Sequence, residues 1–408
     1  MNILYLCHRF PYPPKRGGKI RPFHMIRHLG ESGHQVTVCS LARSDAEAEE
    51  ARGIAPHCAH FEVAQVREPV QIARMLARLP LPTPSSMGYF YSATLAATVR
   101  RLLATQAWDL VFVHCSSVAQ YVQNLRGVSK ILDFGDMDSQ KWLDYARFKP
   151  FPLSIGYRLE GTKLLAAEKR LARCFDLCTT ITRAERETLD AYGTGVDTDW
   201  FPNGVDSEYF CPTDGTYDPD TVSFIGRMDY YPNQECMQRF CKEVWPLLKA
   251  KRPAMKLIIV GADPSPAVVA LGNLPDVAVT GSVPDVRPYV RSSAAMVAPL
   301  AIARGTQNKV LEAMAMGVPV VTSSAAAGGV DADAGSHFLV ADSAADTAAA
   351  LLRVIENSAE RARLARAGRD RMLACHDWAH SMKRMDGMIE RCIHGHKQQR
   401  SEMLGNAV

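Results

Sequence analysis

No apolar run in the 408 residues approaches the ~18–20 needed to cross a bilayer as a helix. The Met1 end passes from one short apolar stretch into a basic loop, with no signal-peptide core or cleavage site. Both absences predict a cytoplasmic protein that is neither secreted nor membrane-spanning. The CxxC spacing of zinc and redox sites is missing too. The eleven cysteines are scattered among apolar segments, and the nearest pairs are Cys174/Cys178 and Cys236/Cys241, which predicts reduced, buried thiols and no metal site. No GxSxG occurs and no cysteine stands in a recognisable nucleophile context, so recognisable serine and cysteine nucleophile arrangements are absent. Without GxGxxG after either first strand, a NAD-dependent dehydrogenase is disfavoured. Charge of one sign is also scarce: 47 basic against 43 acidic side chains leave +4, too little to imply nucleic acid as a partner. Locally the balance differs. Residues 1–30 hold no acid, but they hold Arg9, Lys15, Arg16, Lys19, Arg21 and Arg27, so an electropositive region suited to phosphate or an anionic surface is expected there.

What is present is ordinary globular composition, 47% hydrophobic and 22% charged, in a chain long enough for two or three domains. Short β-branched runs at Asn2–Cys7, Gln35–Cys39, Leu110–Val113 and Leu177–Thr182 alternate with helical spacing at Arg21–Leu29 and Ser92–Leu103. A second series covers Thr221–Gly226, Lys256–Gly261, Val277–Thr280, Ala295–Pro299, Pro319–Thr322 and His337–Val340. This alternation predicts parallel βαβ units in two α/β domains. The expected division is 1–196, a Gly/Pro/Asp-rich connector at 197–220, 221–375, a terminal helix at 376–393 and a frayed tail at 394–408. Helices are expected at Ala344–Ile355, Arg361–Leu373 and Ser381–Ile389.

The most informative segment is Arg304–Thr322, RGTQNKVLEAMAMGVPVVT. Here a loop leads from a strand into a short helix, Lys309–Met316, so Gly305, Thr306, Gln307 and Asn308 lie where unpaired helix N-terminal amides form an anion cradle. Lys309 adds a charge, and Glu312 lies one turn on, where a carboxylate could accept two bonds from a ribose diol. The same segment also reads as an ordinary capped helix with Glu312 on its solvated face. A second candidate is Gly226–Arg227, at the carboxyl end of the second domain's first strand, where a guanidinium can grip phosphate; a surface arginine beside a turn is the alternative. Pro11–Arg21 places Gly17 and Gly18 between Lys15, Arg16 and Lys19, a phosphate-approach loop or simply a solvated basic one. His114 follows the strand Leu110–Val113 and is the best-placed histidine for proton chemistry, although a lone histidine is more often structural. Asp136/Asp138 spell DxD, which also occurs at Asp197/Asp199 and Asp331/Asp333 and is not read as a metal site. In Val66–Leu79 the residues Val66, Val70, Ala73, Leu76 and Ala77 share a helical face margined by Arg67, Arg74 and Arg78. That pattern suits a lipid interface, or a helix packed on the first domain's sheet.

Taken in order, these segments resemble the retaining GT-B glycosyltransferases of the GT4 family over nearly the whole chain. The resemblance rests on Pro14–Gly18 followed by GHQVTV at 33–38, FPNGVDSEYF at 201–210, the GxR of Gly226–Arg227, EAMAMGVPVV at 312–321, and Trp378. GxMDYxPN, ARGxxNKVLEAMAMG and LDFGDMDSQKW are similar to the subgroup associated with exosortase (PEP-CTERM) and exopolysaccharide systems. Two positions depart from the family: Asn233 stands where a Lys is frequent, and Arg304 where the first Glu of E-x7-E is usual. The resemblance implies two Rossmann-like domains facing across a cleft, a C-terminal helix crossing back to the first domain, and transfer from a nucleotide-diphosphate sugar to a glycan or lipid-linked glycan acceptor. It implies no cofactor and no essential metal. Arg227, Lys309 and His114 would carry catalysis, Glu312, Gly305, Thr306, Gln307, Asn308, Arg304, Gly226 and Asn233 the donor, and Gly17, Gly18, Lys15 and Arg16 the acceptor or phosphate loop. An inner-membrane surface would be a peripheral partner. A nucleotide-sugar epimerase and a non-catalytic sugar-nucleotide-binding protein are the alternatives.

Overall fold

The computed structural model describes residues 1–14 and 17–405, with side chains as far as Gln398. Two compact units emerge, one of Met1–Phe201 with the chain from Met382 onward, the other Pro202–Ser381. The first holds seven strands: β1 (Asn2–Cys7), β2 (Gln35–Ala42), β3 (His60–Gln65), β4 (Leu110–His114), β5 (Ser129–Gly135), β6 (Leu177–Thr180) and β7 (Asp197–Trp200). The second holds β8 (Asp218–Ile225), β9 (Lys256–Val260), β10 (Val277–Gly281), β11 (Ser293–Ala298), β12 (Val320–Thr322) and β13 (Leu339–Val340). Every pair in both sheets is parallel, and the orders are β3-β2-β1-β4-β5-β6-β7 and β10-β9-β8-β11-β12-β13. Each is therefore a doubly wound Rossmann-like sheet whose order reverses once, between β1 and β4 and between β8 and β11. Central strands are apolar on both faces because helices cover both: Ile3–Cys7 and Leu110–Val113 are wholly buried.

The segment expected as a connector is shorter. Asp197–Trp200 pairs with β6 as the edge of the first sheet, and β8 already begins at Asp218. A four-residue edge strand of alternating Asp and Thr/Trp carries too little apolar signal to be read locally. The tail expected at 394–408 is also corrected, because the last helix runs Trp378–Gly405. Its His396 Nδ1 lies 3.1 Å from Asp176 Oδ1, a contact that ordinary helical spacing does not reveal. Gly17 and Gly18 open the helix Gly17–Glu31 instead of lying in a loop.

Lys19 and Arg21 of the acid-free start are not free surface charges; Lys15 and Arg16 lie outside the described residues. Lys19 pairs with Glu47 at 3.0 Å and is buried. Arg21, buried as well, donates from Nε and Nη2 to Asp133 at 2.9 and 3.0 Å, from Nη1 to the Phe201 carbonyl at 2.9 Å, and stacks on the Phe201 ring at 3.7 Å. Asp133 also accepts from Thr179 Oγ1 at 3.0 Å and from His114. Burial opposes its ionisation, but the Arg21 guanidinium and His114 outweigh that and hold its carboxyl well below the usual carboxylate range. Arg21→Met strands this buried carboxylate. It should lower unfolding free energy by about 3–5 kcal/mol near neutral pH. The loss should shrink below the ordinary carboxylate range, where the variant's Asp133 is protonated; urea unfolding at several pH values measures both.

Candidate active site

In the second unit the sequence of events at the reversal point is short. β8 ends at Ile225, the chain turns at Gly226–Arg227, and the loop after β11 leads through Gly305–Gln307 into the helix Asn308–Ala315. A Cβ on Gly226 would stand 2.7 Å from Asn233 Nδ2 and 3.4 Å from Lys309 Cε, so only glycine admits both side chains to the turn. Lys309 Nζ donates to Asn233 Oδ1 at 2.6 Å, and Asn233 Nδ2 donates to the Arg227 carbonyl at 2.8 Å. The Lys309 ammonium also lies 4.8 Å from the centroid of the Phe224 ring. Asn233 thus serves as acceptor for the one ammonium at this turn, where a lysine would set two cations against each other.

Burial governs the charges. It lowers Lys309 to about 8 and raises Glu312, one turn further along the helix, to about 7. Gln307 precedes the helix without capping it through its side chain, and its Nε2 donates instead to the Arg304 carbonyl at 3.1 Å. Thr306 Oγ1 is buried with no hydrogen-bond partner. A buried hydroxyl beside uncapped helix amides offers donors to an anion, with the dipole sign in its favour. Asn308 is the exception in this group: its Oδ1 accepts from Asn203 Nδ2 at 3.3 Å and so anchors the helix start to the 201–210 segment.

Arg227 is half-buried and engaged by carboxylates. Its Nε and Nη2 donate to Asp229 at 3.0 and 2.6 Å, and Nη2 also reaches Asp263 at 2.5 Å. Asp263 holds a left-handed backbone, φ 56°, in the loop after β9. The guanidinium face expected to grip phosphate is therefore occupied by two acids: Asp229, two residues away in the chain, and Asp263, which only the fold brings to it.

In the first unit the corresponding reversal point aligns Cys7, His114 and Asp133 across β1, β4 and β5. His114 Nδ1 lies 2.8 Å from Asp133 Oδ2. An ionised carboxylate only accepts, so Nδ1 carries the hydrogen and Nε2 is the nitrogen left for other chemistry. His8 sits beside it, ring centroids 5.9 Å apart, with a buried Nδ1 that has no partner, and burial pushes its pKa well below the ordinary value. His8 lies just past a first strand and carries no motif to mark it. Among the described residues, nothing lies within 4 Å of a Cβ placed on Gly17 or Gly18. Among the described residues, no three His, Cys, Asp or Glu side chains gather as metal ligands.

Comparison with known proteins places this geometry. The family model described as glycosyl transferases group 1 matches residues 219–357, and that of the glycosyl transferase 4-like domain matches 16–204. Among solved structures, sucrose-phosphate synthase from Thermosynechococcus elongatus superposes with a TM-score of 0.70 at 16% identity, over 97% of this chain and 100% of the other. Anabaena HepE in complex with UDP gives 0.68 at 16% identity, over 96% and 100%. Staphylococcus aureus TarM in complex with fondaparinux, α-GlcNAc-glycerol and UDP gives 0.66 at 10% identity, over 95% and 99%. At these identities the likeness is one of fold. No curated protein sequence matches the chain.

Two outcomes test the electrostatics. Because the Glu312 value of about 7 lies above the ordinary 4.5, its penalty on the ligand-free fold is absent below 4.5, grows as pH rises and is complete above 7. Glu312→Gln should therefore stabilise the ligand-free protein by about 1–2 kcal/mol at pH 8, after discounting for solvent screening, and by nothing near pH 4.5, as read by urea unfolding. Asp263→Asn keeps a residue that tolerates the left-handed backbone but removes a competing charge. Nucleoside diphosphate should bind it several-fold more tightly than wild type by calorimetry.

Proposed function

The chain belongs to the group 1, GT4-like glycosyltransferases of the GT-B fold, and from that premise we propose that it moves a sugar from a nucleotide-diphosphate sugar to an exopolysaccharide precursor. Transfer proceeds with retention of anomeric configuration, onto a lipid-linked acceptor, in a subgroup serving exosortase (PEP-CTERM) and exopolysaccharide systems. The observation that supports this reading best is the convergence of Arg227, Asn233, Lys309 and the helix bearing Glu312 at the reversal point of the second sheet. Neighbours of the same fold add a donor class to try first: HepE has been solved with UDP, with UDP and glucose, and with UDP-glucose.

Each group has a task set by its chemistry. As the glycosidic bond to the β-phosphate breaks, negative charge accumulates on the leaving diphosphate. Lys309, the amides at the start of Asn308–Ala315 and the unpaired Thr306 hydroxyl are already aimed and need little reorganisation to receive it. Arg227 exchanges its carboxylates for the diphosphate, and Glu312 accepts the ribose hydroxyls as an ionised carboxylate, a state that a nearby bound ligand's hydrogen bonds favour. His114, with Nδ1 committed to Asp133, offers Nε2 to a sugar hydroxyl. The helix start at Gly17–Gly18 receives the acceptor. Work at the cytoplasmic side of an inner membrane fits a chain in which, among the described residues, no helix is long and apolar enough to cross one.

Calorimetry and turnover with a panel of nucleotide sugars test the assignment. Glu312→Ala should weaken donor binding by ~1–3 kcal/mol, whereas Arg227→Ala and Lys309→Ala should lower kcat at saturation more than they weaken binding. Unchanged donor affinity in the Glu312 variant would sink the ribose assignment. Donor binding without transfer to any acceptor would instead indicate a nucleotide-sugar-binding protein, and release of an inverted sugar nucleotide an epimerase.

A further inference from the structure

The helix Glu68–Ala77 does not pack an apolar face on the sheet. Gln71 is its one buried residue, while Val70, Ile72 and Leu76 are exposed. A second apolar feature stands where the helices Asp138–Phe148 and Leu153–Ala172 meet. Phe151 is 79% exposed, and Leu153 and Ile155 are each 58% exposed, with Phe148 and Leu159 open on either side. Isolated exposed apolar residues are normal on any surface, but a run of them at the tip of a helix pair is not.

We propose that this hairpin tip and the exposed face of Glu68–Ala77 form one surface by which the protein seats on an anionic lipid bilayer. The proposal deepens the membrane part of the reading above and does not depend on the donor chemistry. Continuity comes from side chains. Ile155, Leu159 and Lys163 follow one another at one-turn spacing along Leu153–Ala172, and Lys163 Nζ donates to the Leu79 carbonyl at 2.7 Å. Leu79 in turn continues the Ile72 and Leu76 row of the other helix, so the two apolar rows meet at that bond. The scaffold behind them is pinned: Glu160 accepts from the backbone amides of Ser85 and Ser86 at 3.0 and 2.8 Å.

Three features favour lipid over a protein partner. The tip reads Lys149-Pro150-Phe151-Pro152, and its two prolines have no N–H to desolvate on entering an interface. Below the tip Trp142 and Tyr157 pair at 5.0 Å, with Tyr145 at 6.1 Å from Tyr157, amphipathic rings of the kind that settle at headgroup depth. Charge is one-sided. Segments 66–81 and 144–163 together hold seven basic and three acidic residues, and of the acids Glu160 is buried and engaged by the Ser85 and Ser86 amides. Exposed Arg67, Arg147 and Arg158 are placed to meet anionic headgroups as the apolar tip enters.

Flotation of the full chain decides the matter, using phosphatidylcholine vesicles with and without phosphatidylglycerol at low and high salt. Wild type should float with the anionic vesicles only, less so at high salt. The exposed-tip variant Phe151→Ser/Leu153→Ser/Ile155→Ser should lose roughly tenfold or more of its partitioning, with urea midpoint and nucleotide affinity unchanged. Arg147→Gln/Arg158→Gln should weaken partitioning and flatten its salt dependence. Failure of wild type to float at low salt, or wild-type flotation by the tip variant, overturns the proposal. So does light scattering that shows a wild-type dimer turned to monomer by the tip substitutions, since a second copy then covers the surface. Donor binding and transfer to a soluble acceptor analogue, measured on the same preparations, report separately on the enzymatic reading.

Discussion

A parallel sheet covered by helices on both faces leaves its strand ends open at one place, the point where the strand order reverses. Everything that can do chemistry here is arranged by that constraint. In the first sheet the reversal brings His8, His114 and Asp133 together from strands separated by long stretches of chain. In the second it brings the turn after β8 against the loop that follows β11, so Arg227, Asn233 and Lys309 meet although 76 residues separate the last two. Each cluster depends on which strand lies beside which.

Two uses of buried charge follow. Arg21 and Asp133 are saturated: the guanidinium has a carboxylate, a carbonyl and an aromatic face, and the carboxylate has three donor side chains. Such a network fixes geometry, and what it fixes is the orientation of His114. Lys309 and Glu312 are the opposite case. Each is drawn from water with few partners, so burial moves both toward neutral pH and leaves them responsive to a ligand that brings charge or hydrogen bonds. Arg227 lies between these cases, half-buried and held by Asp229 and Asp263, so an anion approaching it would meet carboxylates rather than water alone.

The same contrast explains the basic start of the chain. Read along the sequence, Lys19 and Arg21 look like a phosphate loop because no acid is near them. In the fold their acids arrive from elsewhere, Glu47 from the far side of β2 and Asp133 from β5, 112 residues away from Arg21. Conversely, the apolar positions of Glu68–Ala77 look like a core face, yet Val70, Ile72 and Leu76 stay open to solvent.

The sequence by itself determined the βα alternation, the two-sheet architecture and the strand–loop–helix segment at 304–322. These follow from spacings of two to four residues, which the chain carries locally. The edge strand Asp197–Trp200 and the helical stretch from His394 onward escaped such reading because their signals are contacts with distant segments. Tertiary structure alone decided which charges are neutralised, which remain available and which apolar rows stay exposed. The physical reason is that an ion pair or a buried face is a property of two segments at once, and strand order, not local spacing, chooses the second.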